Sequence, residues 1–157
     1  MKILKDNILS LVLSGALTLF LTQASAQVAV NGNIQVGNTF IRGTVSGQTA
    51  TGGFLVITNS GSVSDKLIGV SSSTMGELEI HEMKMEGNRM LMREISALEI
   101  PAKSKVELKP GGYHLMITGL KKPLQEGEIL PIRLKFEKAG ELTVDFPVKS
   151  LSTMKMH

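Results

Sequence analysis

The feature that most constrains the fold is a short-period alternation of apolar and polar residues that begins after Gln27. In the clearest example, Ile132, Leu134 and Phe136 alternate with charged residues before a turn at Lys138-Ala139-Gly140 and a second alternating segment. A period of two is typical of β-strands, where successive side chains point to opposite faces. No helical period longer than a few residues appears, which predicts an all-β single domain, a β-sandwich with a Greek-key or similar connection.

The first residues predict a secretory leader and a simple division of the chain. Lys2 and Lys5 precede an apolar run that ends near Leu21, and Ala24-Ser25-Ala26 forms a small-x-small cleavage site. The run is too short and interrupted for a membrane span. We therefore expect a signal peptide at residues 1–26 that is cleaved after Ala26, a domain at 27–149, a short tail at 150–157, and a soluble, exported product.

Composition excludes several classes of site. The sequence contains no cysteine, so disulfides, a lipid-modified N-terminal Cys, blue-copper centres and thiol redox motifs are ruled out. The net charge is only +3, with acidic and basic residues interspersed, which is not the pattern of a nucleic-acid-binding surface. With three histidines and no Ser-His or paired-carboxylate context, an enzyme is not expected.

Two histidines and two methionines form a candidate site for a soft metal. His81, Met92, His114 and Met116 are separated by ten, twenty-one and one residues. Taken singly, such residues usually pack in cores or serve structural roles. Here, however, strand alternation puts His81 opposite the face of Ile80, and puts His114 and Met116 opposite the apolar face of their strand. Imidazole and thioether are neutral ligands that suit Cu(I).

The register of the first two site strands can also be predicted. If Glu86–Arg89 forms a four-residue hairpin loop, Met83 lies opposite Met92, and His81 is a diagonal neighbour of Met92. Leu91 and Ile95 are predicted to mark the inward face of the second strand. Met83 and Met90 share the outward face and are possible auxiliary ligands.

These residues resemble the signature of the periplasmic copper chaperones of the PCu(A)C family, in which His, Met, His and Met stand at the same two long spacings. The resemblance extends over most of the chain after the leader, including Pro110–Met116 and Pro131–Phe136. It implies a cupredoxin-like β-sandwich in the periplasm that binds one Cu(I). It further implies delivery to the binuclear copper site of cytochrome oxidase subunit II, alongside Sco-type thiol proteins, by a monomer.

Two alternatives and one open site remain. A periplasmic copper buffer or resistance protein would use the same four residues without a dedicated acceptor, and a metal-free β-sandwich binding module would use none of them. Some members of the family carry additional copper sites in C-terminal extensions. Met154, Met156 and His157 form a minimal version here and a possible second copper site, although a terminus without a role is an equal expectation.

Overall fold

The computed structural model describes residues 28–150, and this part of the chain contains eleven β-strands and no helix. Residues 1–27 and those after Ser150 lie outside the described range, so the predicted leader and its cleavage after Ala26 stay predictions. The strands are β1 Ala29–Asn31, β2 Ile34–Arg42, β3 Thr51–Asn59, β4 Asp65–Ser71, β5 Glu77–Glu86, β6 Arg89–Glu94, β7 Leu98–Ile100, β8 Ser104–Leu108, β9 Tyr113–Thr118, β10 Ile129–Phe136 and β11 Gly140–Lys149.

The strands are hydrogen-bonded along one open path in the order β6-β5-β9-β3-β2-β11-β10-β4-β7, with β1 paired to β2 and β8 to β3. All the pairings are antiparallel except that of β11 with β2, which is parallel and involves Val148 and Lys149. The order is not the sequence order, because β9 is inserted between β5 and β3. The predicted all-β, cupredoxin-like fold class is confirmed.

A single hydrophobic core is formed by strands from both halves of this path. Its fully buried members come from both halves of the sheet and include Ile41, Leu55, Ile57, Leu67, Leu115, Ile117, Ile132, Leu134, Phe136 and Phe146. The continuous apolar run of β3 is buried along most of its length, as expected for a central strand covered on both faces. Among residues 28–150, no helix is long and apolar enough to cross a bilayer.

The β10–β11 hairpin has the pairing that its alternation predicts. Ile132 lies opposite Val144 and Leu134 opposite Leu142. Their side chains point towards the core, whereas Arg133 and Lys135 remain exposed. Sequence therefore determines both the register and the buried face of this element.

The β5–β6 hairpin and β9 position the candidate site. The connection between β5 and β6 is tighter than predicted, because Glu86 and Arg89 pair and only Gly87 and Asn88 form the loop. Gly87 has a φ of +59°, which suits the first central position of a two-residue hairpin turn. On the other side, β5 pairs with β9 along six residues, which places β9 in the middle of the site.

Candidate metal centre

The two histidines of the motif are direct cross-strand neighbours. His81 of β5 pairs with His114 of β9, and their ring centroids are 5.7 Å apart with the ring planes inclined at 60°. His114 is buried, with 7% of its surface exposed, and His81 is partly buried. Thirty-two residues of intervening chain are thus folded so that two imidazoles meet on one sheet face.

The two methionines flank this histidine pair. Met116 lies on β9 between Glu79 of β5 and Gly52 of β3. Met92 of β6 lies opposite Met83, as predicted, and is diagonal to His81. Met92 is 49% exposed. Solvent exposure within the group of four therefore increases from the buried His114 to the half-exposed Met92.

A surface depression of about 390 Å³ covers much of this group. Its lining includes Met83, Met92, His114 and Met116, whereas His81 is not among the lining residues. The remaining walls come from the Pro110-Gly111 turn and from β2 and β3. The depression is therefore lined by three thioethers, those of Met83, Met92 and Met116, and by one imidazole, that of His114.

Hydrogen bonds leave one ring nitrogen available on each histidine. His114 Nδ1 donates to the carbonyl oxygen of Gly112 at 3.1 Å, so its Nε2 retains the lone pair. His81 Nε2 is 2.8 Å from Glu79 Oε2, and donation to this carboxylate leaves the lone pair on Nδ1. That Nδ1 is buried and has no hydrogen-bond partner among residues 28–150.

These donors fit a soft monovalent metal. A carboxylate or carbonyl acceptor on the far nitrogen is the usual way in which a ligating imidazole is oriented, and both histidines have one. An unpaired buried nitrogen is costly unless something else satisfies it. Two imidazole lone pairs beside two thioethers make a neutral set of the kind that suits Cu(I).

The opposite face of the hairpin carries an ion pair that holds β6 against β5. Glu82 Oε2 accepts hydrogen bonds from Arg93 Nε at 2.8 Å and Nη2 at 2.6 Å. The Arg93 hydrogen bonds lower the pKa of Glu82, while burial and the Glu82 carboxylate raise the pKa of Tyr113. Glu82 and Arg93 are directly opposite in the same register that pairs Met83 with Met92.

Three residues of the depression were not singled out from the sequence. The Arg42 guanidinium lies 5.6 Å from the centroid of the Phe54 ring, and both residues line the depression. Gly52 lies opposite Met116, where an added Cβ would come within 3.0 Å of the Phe54 ring. The Gly52-Gly53 doublet before an apolar run was the available signal, but it indicates close packing without naming the neighbour.

The auxiliary residues have mixed outcomes. Met83 and Met90 lie on the same face as the motif, and Met83 lines the depression. Met154, Met156 and His157 lie outside the described residues. Leu91 lies on the inward face as predicted, because it pairs with Lys84 on the Ile80 side of β5, but 44% of its side chain is exposed. Ile95, on the same face, packs against the core. All six residues of β6 are exposed, so the described part of the chain buries no side chain of this edge strand.

Comparison with known proteins places the chain in a family. A family model described as "Putative lipoprotein LpqE-like" matches residues 34–148. The chain belongs to the LpqE-like family. This is the PCu(A)C family, so the resemblance drawn from the motif is confirmed. A curated relative, "Putative lipoprotein Lxx21020" of Leifsonia xyli subsp. xyli, is 35% identical over 120 residues, which span 76% of this chain and 71% of the relative.

Solved structures of PCuAC domains share the fold. The copper-bound PCuAC domain from PmoF2 is 27% identical, with a TM-score of 0.68 over 79% of this chain and 98% of that domain. The solution structure of CuI-DR1885 from Deinococcus radiodurans is 28% identical, with a TM-score of 0.57 over 80% of this chain and 81% of that protein. This chain is therefore homologous to domains that bind copper.

Proposed function

We propose that this protein is an exported copper(I) chaperone that carries one Cu(I) on His81, Met92, His114 and Met116. The observation that carries the proposal is the cross-strand histidine pair, in which one nitrogen of each ring is held by an acceptor and the other is free, beside two methionines. The copper-bound structures of homologous domains support copper as the cargo.

The chain's own groups explain how such a cargo could be held and released. Glu79 orients His81, and the Gly112 carbonyl orients His114, so the nitrogen donors are preorganised in the more buried part of the site. Met92 is half exposed, and an incoming thiolate or imidazole of an acceptor would reach the metal from this side. Thioethers are soft and carry no proton, so the exposed ligand can be exchanged without a proton transfer.

The acceptor and the compartment belong to the same proposal. The N-terminal leader pattern supports export, which in a bacterium with two membranes leads to the periplasm. The family resemblance supports delivery to the binuclear copper site of cytochrome oxidase subunit II, a process in which Sco-type thiol proteins would also take part. The resemblance to copper-binding PCuAC domains supports a non-enzymatic role.

An anaerobic Cu(I) titration against a chromophoric chelator tests the binding. Purified protein should bind Cu(I) at this site with a one-to-one stoichiometry, and the His114→Ala/Met116→Ala double variant should lose at least about 100-fold in affinity. Thr118→Ala is the matched control, because Thr118 is the next residue on the same face of β9. Equal affinity of the double variant and the wild type would overturn the assignment.

A transfer assay separates a chaperone from a buffer. The copper-loaded protein should pass Cu(I) to a purified oxidase copper domain faster than to a small chelator of matched affinity. Equal rates would favour a copper buffer or resistance protein, which would hold the metal at the same residues without recognising an acceptor.

A further inference from the structure

Four methionines form two adjacent cross-strand pairs along the β5–β6 hairpin. Met83 lies opposite Met92, and Met85 lies opposite Met90. The two outer side chains are the most exposed, at 55% for Met85 and 53% for Met90. The pairs form a ladder of thioethers that runs from the candidate centre to the turn at Gly87.

Backbone hydrogen bonds show that both pairs are of the close type. In an antiparallel strand the N–H and C=O groups of one residue point to the same side, and successive residues alternate. Met83 N donates to Gly112 O next to β9, whereas Ile80 O accepts from Ile95 N on the β6 side. Met83 and Met85 are therefore in pairs without hydrogen bonds to β6, in which opposite Cβ atoms are roughly 4.5–5.5 Å apart.

Core packing does not explain this ladder. Methionine normally fills gaps in a core, but β6 and the end of β5 from Lys84 to Glu86 are exposed. The other face of this end of the hairpin carries Glu82, Lys84 and Arg93 together with a single apolar residue, Leu91. Only the face that continues the candidate centre carries thioethers at four successive positions.

We propose that Met83, Met85 and Met90 form a second site for a soft monovalent cation, separate from the four-residue centre. The site rests on the proposed function only for the identity of its cargo, Cu(I). Three flexible thioethers on one face of the β5–β6 hairpin can converge on one ion, and the ligand class selects Cu(I) or Ag(I) over hard cations. With no imidazole and with two exposed ligands, this site holds the metal more weakly than the centre.

The position of the second site, next to the four-residue centre and at the tip of the hairpin, suits it to the loading and release of Cu(I). Met83 lies opposite Met92 and two residues before Met85 on the same face of β5. A cation can therefore move between the two sites by exchanging one thioether ligand at a time. The outer pair lies at the exposed tip of the hairpin, where an acceptor can approach without contacting the buried His114.

Silver titration of protein labelled with 13C at the methionine methyl groups tests the second site directly. Ag(I) is the probe, because it has the same charge and ligand preference as Cu(I) without its redox chemistry. Met154 and Met156 are replaced by isoleucine in every sample to remove the tail thioethers. The first equivalent should shift the methyl signals of Met92 and Met116, and the second should shift those of Met85 and Met90.

The Met85→Leu/Met90→Leu variant keeps the volume and apolar character of the pair but removes its sulfur atoms. It should lose at least tenfold in affinity for the second equivalent and keep the first, whereas Met75→Leu, outside the ladder, should lose neither. Unmoved Met85 and Met90 signals through two equivalents, or undiminished second binding in the double variant, would overturn the proposal. A variant that transfers copper poorly but binds two Ag(I) as before would assign the ladder to protein docking instead and would also overturn it.

Failure of the proposed function has a different signature in the same titration. In that case Met92 and Met116 would stay unshifted by the first equivalent, whatever the outer pair does. The two proposals are therefore decided by different methyl signals.

Discussion

Glu79 determines which nitrogen of His81 can meet a cation. Its carboxylate is 2.8 Å from Nε2, and a proton held there leaves the buried Nδ1 as the electron-pair donor. Without this acceptor, the proton can move to Nδ1 and the ring can rotate. The carboxylate would thus act on copper through the histidine, without touching the metal.

Replacing Glu79 with alanine is expected to lower Cu(I) affinity by about 10- to 100-fold, the usual cost of losing a partner that orients a ligand. Competition with a chromophoric chelator measures the change. Glu77→Ala is the control, because Glu77 lies two residues earlier on the same face of β5 and pairs with Thr118. If both variants bind copper within twofold of each other, Glu79 does not position the ligand.

At the scale of the elements, one carboxylate joins the beginning of β4 to the turn between β10 and β11. Asp65 is buried, and its Oδ1 accepts from the backbone N–H groups of Lys66 at 2.7 Å and Lys138 at 2.9 Å. Its Oδ2 accepts from Ala139 N at 2.9 Å. Burial raises the pKa of Asp65, but these N–H donors and the Lys138 charge together lower it below its ordinary value of 3.8.

The direction of this shift predicts an acid-labile contribution to stability. Since the folded pKa lies below the unfolded one, the ionised group stabilises the fold fully above the unfolded pKa and loses this effect as the pH falls through the folded pKa. Asp65→Asn should therefore be less stable by about 1–3 kcal/mol at pH 7, and the difference should shrink below about pH 3.8. Urea unfolding at pH 7 and pH 2.5 measures it, with Asp145→Asn of β11 as the control. A difference that does not depend on pH would contradict this account.

For the whole molecule, the core and the candidate centre lie on opposite faces of β5 and β9. Ile80, Leu115 and Ile117 are buried in the core, whereas His81, His114 and Met116 face the other way. The free energy of folding therefore comes mainly from groups outside the candidate centre. This separates the protein from metal-dependent domains such as zinc fingers, which fold only when the metal binds.

The copper-free protein is accordingly expected to be folded, and copper to raise its stability by linkage alone. At a free Cu(I) concentration 100 times the dissociation constant, the gain is about 2.7 kcal/mol. Met92→Ala should leave the thermal unfolding temperature of the copper-free protein nearly unchanged, because the side chain is 49% exposed, and should reduce the copper-induced rise. Circular dichroism melts in chelator-buffered Cu(I) measure both. A disordered copper-free spectrum would refute the separation of core and site.

The sequence alone determined the features that depend on local strand geometry, namely which side chains share a face of a strand. The period of two assigned the faces of β5, β9, β10 and β11, because alternation of side chains is a property of each strand by itself. A short turn then set the pairing of Met83 with Met92, since a hairpin joins neighbours in sequence. Four metal-ligand candidates followed from faces and spacing, without knowledge of which strands lie side by side.

Only the tertiary structure decided which strands meet and which faces are covered. The insertion of β9 between β5 and β3 pairs His81 with His114 and brings Gly52 against Met116, and these contacts join segments far apart in the chain. Arg42 and Phe54 enter the site for the same reason. The alternation placed Leu91 on the inward face, but a strand pattern cannot show that this end of an edge strand stays exposed. Burial depends on what other segments cover, and that is a property of the whole fold.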